Sequence, residues 1–507
     1  MPLLRLLPLL SLVACTSTVA RPPNILFLAV DDLRPQLGCY GLDFMRTPHI
    51  DSLAARGVRF DRHYVAMAVC IPSRVALLTS LRSERTRQIY GPLQWQDTPN
   101  ATPVGRWFGR HGYATVSLGK IWHAPGGDSG DTWDEVWHPK APDFVGQPDP
   151  AAAPANVEGK PARNRKAERA AKKGKRAETG DGGGVSHRPV SEALEVPDET
   201  YRDGLLAAAA VDRLRRLAAS REKPFLLAVG FHKPHLPFVA PKKYWDLYDR
   251  SRLPLPSQPQ FPAGAPAIAR NHSIGGWTDL PDGPPHVAFD EATIRKLIHG
   301  YCAATSYTDA QIGKVLAALR ELGLERETIV VLWGDHGWHL GDLDQWMKST
   351  NYERAARSPL IVSAPGRLTG VASPRLVETV DVFPTLLELC GLPALPLSDG
   401  RSFATLLSDP TRPWKEAAYH CFNRAGEDGG GKARNPVIGF AVRTESARYV
   451  EWRTGWSLDG RLVGREFYRY SPDQPDERRN EAEVPELQEQ VAAHAALLRK
   501  NSAFRTP

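Results

Sequence analysis

The sequence has few cysteines and no apolar run long enough to cross a membrane. Its 507 residues include six cysteines, and their spacings match no zinc-binding pattern. Apolar residues make up 42% of the chain and charged residues 24%, as in an ordinary globular protein. No internal repeat is evident. The length exceeds what one ordinary core needs, which predicts a large domain and a smaller one.

The one membrane-directed segment lies at the start of the chain. Leu3–Val13 is apolar but short and interrupted by Arg5 and Pro8, which predicts an export signal over residues 1–20. It runs into Leu12-Val13-Ala14-Cys15, which resembles the bacterial lipobox, where the cysteine is lipidated. Cleavage after Thr18-Val19-Ala20 is the alternative. Either interpretation places the mature protein outside the cytoplasm, in the periplasm or anchored to the outer membrane as a lipoprotein.

The chain lacks a general excess of positive charge. Its net charge is +7, but the segment Lys160–Arg176 alone contains nine basic residues and one acid. The rest is close to neutral, so the basicity does not indicate a nucleic-acid partner. This run belongs to a low-complexity insert at 150–190, which we expect to be a solvated loop. The functional alternative is an electrostatic arm that holds a polyanionic substrate.

Five short apolar runs predict buried strands, with helical stretches between them. The predicted strands are Asn24–Val30, Tyr113–Leu118, Phe225–Gly230, Thr328–Trp333 and Leu360–Ser363. One helix is predicted to begin near Thr47 and stop at Gly57, and another to span about Ala292–Leu322. Alternating strands and helices predict an α/β fold over 21–385, with a large, mostly parallel sheet flanked by helices.

The pattern changes after about residue 385. Gly439–Thr444 and Ala447–Trp452 are strand-like, and a final helix is predicted over about Val484–Arg499. We therefore predict a smaller C-terminal α+β domain at 386–507.

Polar side chains follow four of the predicted strands. They are Asp31 and Asp32 after the first, Lys120 and His123 after the second, His232 and His235 after the third, and Asp335 and His336 after the fourth. Ligands of open α/β sheets bind beyond the carboxyl ends of the strands. Acids gathered there would repel one another without a cation, and oxygen ligands suit Ca²⁺ or Mg²⁺. Nearby basic groups would then bind a sulfuryl or phosphoryl anion.

A candidate nucleophile lies at the start of a predicted helix. In Cys70-Ile71-Pro72-Ser73-Arg74, Pro72 fits the first turn and an apolar run follows. A helix N-terminus favours negative charge on Cys70. The alternative is a small buried cysteine with a packing role only.

The motif Cys70-x-Pro72-Ser73-Arg74 resembles the signature of the type I sulfatases. Other segments resemble the iduronate-2-sulfatase branch of that family, both in their amino-acid sequence and in their order along the chain, over roughly residues 24–390. They are Asn24–Gly41, Gly119–His123, Gly230–Phe238, Gly334–Gly341, Lys348–Glu353 and Val377–Leu389. The resemblance implies an alkaline-phosphatase-like sandwich that hydrolyses sulfate esters of a glycan, with 2-O-sulfated iduronate or a related uronate as the expected substrate.

The resemblance also implies a cofactor and a modification. Cys70 would be oxidised to formylglycine by a formylglycine-generating enzyme, and its hydrate would attack sulfur and later eliminate sulfate. Calcium, rather than magnesium, would be held by Asp31, Asp32, Cys70, Asp335 and His336.

The remaining roles are likewise implied by the resemblance. Arg74 and Lys120 would fix the hydrate and neutralise sulfate, and His123 would accept the proton that triggers elimination. His232 and Lys348 would bind sulfate and protonate the leaving oxygen. Trp338 would face the sugar. His235 and His339 are left outside the catalytic set, as residues equally suited to structural hydrogen bonds.

Three alternatives stay open from the sequence. A phosphomonoester, phosphodiester or phosphonate hydrolase would share the same sheet and metal site. A phosphoethanolamine transferase would use threonine as nucleophile, which Cys70 disfavours. An inactive, lipid-anchored glycan-binding protein would result if Cys70 stayed an unmodified thiol.

Overall fold

The computed structural model describes most of the chain after the predicted export segment. The described residues are 21–89, 98–123, 131–141, 145, 189–271, 274, 280, 289–425, 436–471 and 476–501. The predictions for residues 1–20, Cys15 and the basic run Lys160–Arg176 lie outside them. Among these described residues, no helix is both long and apolar enough to traverse a bilayer.

The centre of the molecule, among the described residues, is an eight-stranded sheet. Its strands are β1 (Asn24–Val30), β2 (Val58–Tyr64), β3 (Ala114–Gly119), β4 (Glu135–Trp137), β6 (Phe225–Phe231), β8 (Thr328–Gly334), β11 (Leu360–Ser363) and β12 (Val371–Glu378). Their order across the sheet is β12-β2-β11-β8-β1-β6-β3-β4. Only β11 runs antiparallel to its neighbours. The predicted large, mostly parallel sheet is thus confirmed.

Helices cover both faces of this sheet. The α-helices of the described residues are α1 (Pro48–Ala54), α2 (Cys70–Thr79), α3 (Ser83–Thr86), α4 (Val104–Arg110), α5 (Arg202–Ser220), α6 (Lys242–Trp245), α7 (Glu291–Glu321), α8 (Glu353–Ala356), α9 (Val382–Leu389) and α10 (Gln488–Lys500). Strand β1 shows why two layers form. Ile25 and Phe27 pack with α2, α4 and α9, whereas Leu26 and Leu28 pack with α1, α5 and α7 on the other face.

A second, antiparallel sheet lies in the C-terminal part. Its strands are β13 (Ala418–Ala425), β14 (Pro436–Arg443), β15 (Ala447–Thr454) and β16 (Leu462–Arg469). Helix α10 packs on it, and its apolar cluster includes Met67 and Val69. This smaller α+β unit therefore supports the chain directly before Cys70.

Two small ribbons complete the described strands: β5 (Ser191–Leu194) with β7 (Phe238–Pro241), and β9 (His339–Leu340) with β10 (Trp346–Met347). All five predicted strands of the main sheet are present within one residue of their expected ends. The sequence did not predict β2, whose alternation is interrupted by partly exposed charged residues. The cysteines in the described part, Cys39, Cys70, Cys302, Cys390 and Cys421, are free thiols.

Candidate active site

The carboxyl ends of two neighbouring central strands carry four polar residues of the predicted site. Asp31 and Asp32 follow β1, and Asp335 and His336 follow β8, the strand paired with it. The Asp335 amide donates to the carbonyl of Val30 at 3.2 Å, which continues the hydrogen bonding between β1 and β8 by one more residue. All four polar side chains are fully buried.

Asp32 departs from the geometry of the strand before it. Its φ is 58°, in the left-handed region, and its amide donates to Asp335 Oδ1 at 2.9 Å. In an extended strand, consecutive side chains point to opposite faces. The turn at Asp32 lets the adjacent Asp31 and Asp32 carboxylates converge with Cys70 on one spot.

Cys70 is the first residue of α2 and is fully buried. Its Sγ lies 3.1 Å from Lys348 Nζ and 3.4 Å from His336 Nε2. Lys120 Nζ and Asp32 Oδ1 are each 4.0 Å from the same sulfur. The thiol thus lies where ammonium groups, a carboxylate and an imidazole meet, which agrees with its predicted place at a helix N-terminus.

Three cations neutralise the buried acids. The Arg74 guanidinium, one turn along α2, contacts Asp335 Oδ2 through Nη2 at 2.9 Å and Asp31 Oδ1 at 3.2 Å. Lys120 Nζ pairs with the second oxygen of Asp31. Lys348 Nζ lies 2.8 Å from Asp32 Oδ1. Three formal negative charges therefore face three formal positive charges in this cluster.

The three buried carboxylates of this cluster suit a hard divalent cation. Ligand atoms of Asp31, Cys70, Asp335 and His336 lie within 4.8 Å of one another, and Asp32 Oδ2 is buried without a hydrogen-bond partner among the described residues. Burial and the neighbouring Asp31 carboxylate raise the pKa of Asp335 to about 7. A cation would relieve this repulsion, and the added charge would let the site accept an anion.

The imidazole of His336 is oriented as a metal ligand would be. Burial, with a contribution from Lys348, lowers the pKa of His336 to about 4, so the ring is neutral at pH 7. Its Nδ1 lies 2.9 Å from the carbonyl of Gly337 and can act as the donor there. That leaves the lone pair on Nε2, which faces Asp32 and Cys70.

The thiol itself is a poor nucleophile here. Burial and the nearby Asp31 carboxylate raise the pKa of Cys70 well above its ordinary value, despite Lys120 and Lys348. By contrast, burial alone would raise the pKa of Asp31, but Lys120, His235 and Arg74 hold it well below its usual range. Nucleophilic attack by an unmodified Cys70 thiol is therefore disfavoured.

His232 lies beside this cluster, near the Lys120 ammonium and the Asp31 carboxylate. His232 follows β6, and the Asp203 carboxylate accepts its backbone N–H at 2.9 Å. Burial and the Lys120 ammonium lower the pKa of His232 well below the ordinary value, so it is neutral at pH 7. His123 is half-buried and lies three residues beyond Lys120. Its role as a proton acceptor stays a prediction.

Trp338 is placed beneath Lys348. Its indole is fully buried, in an apolar cluster with Met45 and Leu340. Lys348 Nζ lies 5.6 Å from the centroid of the ring, in cation–π geometry. The indole supports the ammonium in this structure, and the expected contact with a sugar stays a prediction.

Comparison of the sequence with known families gives a match over most of the chain. Residues 23–392 match the sulfatase family, and residues 334–457 match the C-terminal region of N-sulphoglucosamine sulphohydrolase. The chain belongs to the sulfatase family.

Individual relatives of this sulfatase agree with the assignment. Iduronate 2-sulfatase of Homo sapiens is 32% identical over 497 residues, which cover 85% of this chain and 84% of the relative. The chain is therefore a type I sulfatase enzyme that resembles the iduronate-2-sulfatase branch.

Solved structures share the fold of this sulfatase. Phosphonate monoester hydrolase from Silicibacter pomeroyi has a TM-score of 0.69 at 23% identity, covering 94% of both chains. BT4656, solved with its substrate D-glucosamine-2-N,6-O-disulfate, has a TM-score of 0.70 at 19% identity, covering 95% of this chain and 97% of its own. The expected alkaline-phosphatase-like architecture is thus confirmed.

The site of this sulfatase contains one residue that sequence reasoning left out. His235 Nε2 lies 3.9 Å from Asp32 Oδ2, and His235 joins Asp31, Asp32 and Cys70 in a group of potential metal-ligating atoms within 4.8 Å of one another. Its Nδ1 lies 2.6 Å from the Leu236 carbonyl. The sequence did indicate that His235 could belong to the site, because it follows β6 close to His232. The prolines that flank it made a structural role equally plausible.

Proposed function

We propose that this sulfatase removes sulfate from a sulfated sugar, with 2-O-sulfated iduronate or a related uronate in a polysaccharide or its oligosaccharides as the substrate. The observation that carries the proposal is the convergence of Lys348, Lys120 and the buried Asp32 carboxylate on Cys70 Sγ. Such a cluster, once it holds a cation, is suited to an anion that carries a leaving alcohol.

Two groups outside the encoded side chains belong to this proposal. Asp31, Asp32, Asp335, His336 and residue 70 would hold Ca²⁺, which would supply positive charge beside the nucleophile and the sulfate oxygens. Oxidation of Cys70 to formylglycine, by a formylglycine-generating enzyme, would supply a hydrated aldehyde in place of a thiol whose raised pKa disfavours attack. Mg²⁺ is the less suitable ion because it demands a stricter geometry.

The protein's own residues would bind sulfate and move protons. Lys120 and Arg74 position the reacting group at residue 70 and offset negative charge that develops there. Neutral His232 would donate a hydrogen bond to a sulfate oxygen. His232 and Lys348 would protonate the ester oxygen as the S–O bond breaks. Asp335 would accept a proton in the first step.

The choice of sugar is supported by similarity to named relatives. The human relative at 32% identity is named iduronate 2-sulfatase. The segments Gly230–Phe238 and Lys348–Glu353, which contribute His232, His235 and Lys348 to this site, are among those that resemble that branch.

The first test is the mass of the peptide that contains Cys70. We expect protein made together with a formylglycine-generating enzyme to show sulfur exchanged for oxygen and the loss of two hydrogens at that residue. Protein with this modification should release sulfate from 2-O-sulfated uronate oligosaccharides in a panel of sulfated glycans. An intact thiol in protein from the native host would refute the mechanism and favour an inactive glycan-binding protein.

The same panel separates sulfate from phosphate chemistry. Phosphomonoesters, phosphodiesters and phosphonate esters are included because the phosphonate monoester hydrolase shares the fold. If the enzyme hydrolyses any of these phosphorus esters faster than every sulfate ester in the panel, the proposed substrate class is wrong.

We also propose that the chain is exported and anchored through a lipid at Cys15. Residue 21 leads into β1, whose opposite end carries Asp31, so an anchor would attach at the edge of the sheet away from the site. The mass of the mature N-terminal peptide tests this, and an unmodified Cys15 or cleavage after Ala20 would contradict it.

A further inference from the structure

The convergence of Asp31 and Asp32 depends on an unusual backbone conformation. Asp32 has a φ of 58°, which residues other than glycine seldom adopt without support. An extended Asp32 would turn its carboxylate to the face opposite Asp31. Holding both acids in one site with Cys70 therefore requires contacts that keep Asp32 in the left-handed conformation.

Tyr301 supplies such a contact from the long helix α7. Its hydroxyl donates to the carbonyl of Asp32 at 2.8 Å and accepts the backbone N–H of Arg34 at 2.8 Å. The side chain of Tyr301 is fully buried. Since Asp335 accepts the amide of Asp32, both backbone polar groups of Asp32 are held by side chains.

We propose that Tyr301 is a positioning residue for the cation site: its hydroxyl holds the left-handed turn at Asp32, so that the Asp32 carboxylate faces Asp31 and residue 70. This inference rests on the proposed function, because it takes Asp32 to be a ligand of Ca²⁺. Loss of the hydroxyl would leave the Asp32 carbonyl and the Arg34 N–H buried without this partner. The turn could then relax, and the carboxylate would leave its place in the cluster.

The same helix offers a matched control. Tyr307 is also fully buried, and its hydroxyl accepts the backbone N–H of Gly204 at 2.7 Å and donates to the carbonyl of Asp198 at 2.9 Å. Tyr301→Phe and Tyr307→Phe therefore remove the same group, in the same bridging role, from the same helix. Only Tyr301 bridges to the backbone of a proposed cation ligand.

The experiment compares wild type, Tyr301→Phe and Tyr307→Phe as full chains freed of metal with a chelator. Calorimetric titration with Ca²⁺ measures affinity, and thermal unfolding without Ca²⁺ measures stability. We expect both variants to lose similar stability. The Ca²⁺ affinity of Tyr301→Phe should fall by about 10- to 100-fold, the range for a residue that orients a metal ligand, whereas Tyr307→Phe should bind as wild type does.

Equal Ca²⁺ affinities for the two variants, with wild type binding, would overturn the inference and leave the proposed function intact. A wild-type chain that binds no Ca²⁺ would refute the proposed cation site and this inference together. If Tyr301→Phe does not fold, Tyr301→His is tested in its place, because it keeps an aromatic ring but moves the hydrogen-bond donor away from the position of the tyrosine hydroxyl. Its Ca²⁺ affinity should also fall, and unchanged affinity would overturn the inference.

Discussion

The ammonium of Lys348 lies 3.1 Å from the sulfur of Cys70, although 278 positions separate them in the chain. The residues on either side of Lys348, Met347 and Ser349, both have left-handed φ values, of 69° and 74°. Asn271 Nδ2 donates to the Lys348 carbonyl at 2.6 Å and helps to hold this segment. The positive charge is therefore preorganised at the reacting residue.

Replacing this charge should impair catalysis. Lys348→Met keeps most of the aliphatic stem but removes the ammonium, so we expect kcat/KM for a sulfate ester to fall by roughly 10²- to 10³-fold. Steady-state kinetics of formylglycine-containing protein measure this. The control is Lys314→Met, because Lys314 forms ion pairs with Asp198 and Glu199 away from the site. A Lys348→Met variant as active as Lys314→Met would exclude the proposed role.

Arg74 should be irreplaceable by lysine. Its Nε and Nη2 both donate to Asp335 Oδ2, at 3.1 and 2.9 Å, and an ammonium cannot reproduce this planar fork. We expect Arg74→Lys to lose stability and at least roughly 10²-fold in kcat.

Arg82→Lys is the matched variant for Arg74→Lys. Arg82 is also buried and contacts both oxygens of Glu378, at 2.9 and 2.8 Å, but lies outside the cluster around Cys70. It should lose similar stability and keep kcat. If kcat fell equally in both variants, the effect of Arg74 would be structural.

Metal removal should abolish turnover reversibly. Burial and the Asp31 carboxylate raise the pKa of Asp335, and a metal ion would offset this repulsion, so protein treated with a calcium chelator should be inactive and melt at lower temperature. Added Ca²⁺ should restore the rate, and Mg²⁺ should restore less. At a hundredfold excess over Kd, binding should add about 2.7 kcal/mol to the free energy of unfolding. Full activity in protein shown by elemental analysis to be metal-free would rule out the cation.

His63 should make the fold sensitive to acid. Burial lowers the pKa of His63 to about 4, while the unfolded chain has the ordinary value near 6.5. Between these values the unfolded state binds a proton that the folded state does not, so stability is complete above pH 6.5 and falls toward pH 4. The loss should be on the order of 3 kcal/mol.

Denaturant unfolding of wild type and His63→Gln across this range measures the contribution of His63. The variant should show a shallower decline, although the other buried histidines leave some. Parallel curves for the two proteins would show that His63 does not contribute.

Much of the scaffold follows from the order of residues alone. Short apolar runs such as Ile25–Val30, closed by polar residues, favour a strand buried on both faces, and parallel strands place the residues after them at one edge. The sequence alone therefore assigns Asp31, Asp335 and Lys120 to one site. Strand β2 was missed because its partly exposed charged residues interrupt the apolar pattern.

Tertiary structure alone decided how the site is held together. Local pattern says that Asp31 and Asp32 should point apart, and only contacts from residues about 270 and 300 positions away, Tyr301 and Asp335, hold the turn that brings them together. Tertiary structure likewise decides the place of His235, whose Nε2 lies 3.9 Å from Asp32 Oδ2 although the two residues are far apart in the chain. Strand periodicity is local and can be inferred from sequence, whereas a backbone conformation held against its own preference depends on partners that only folding brings near.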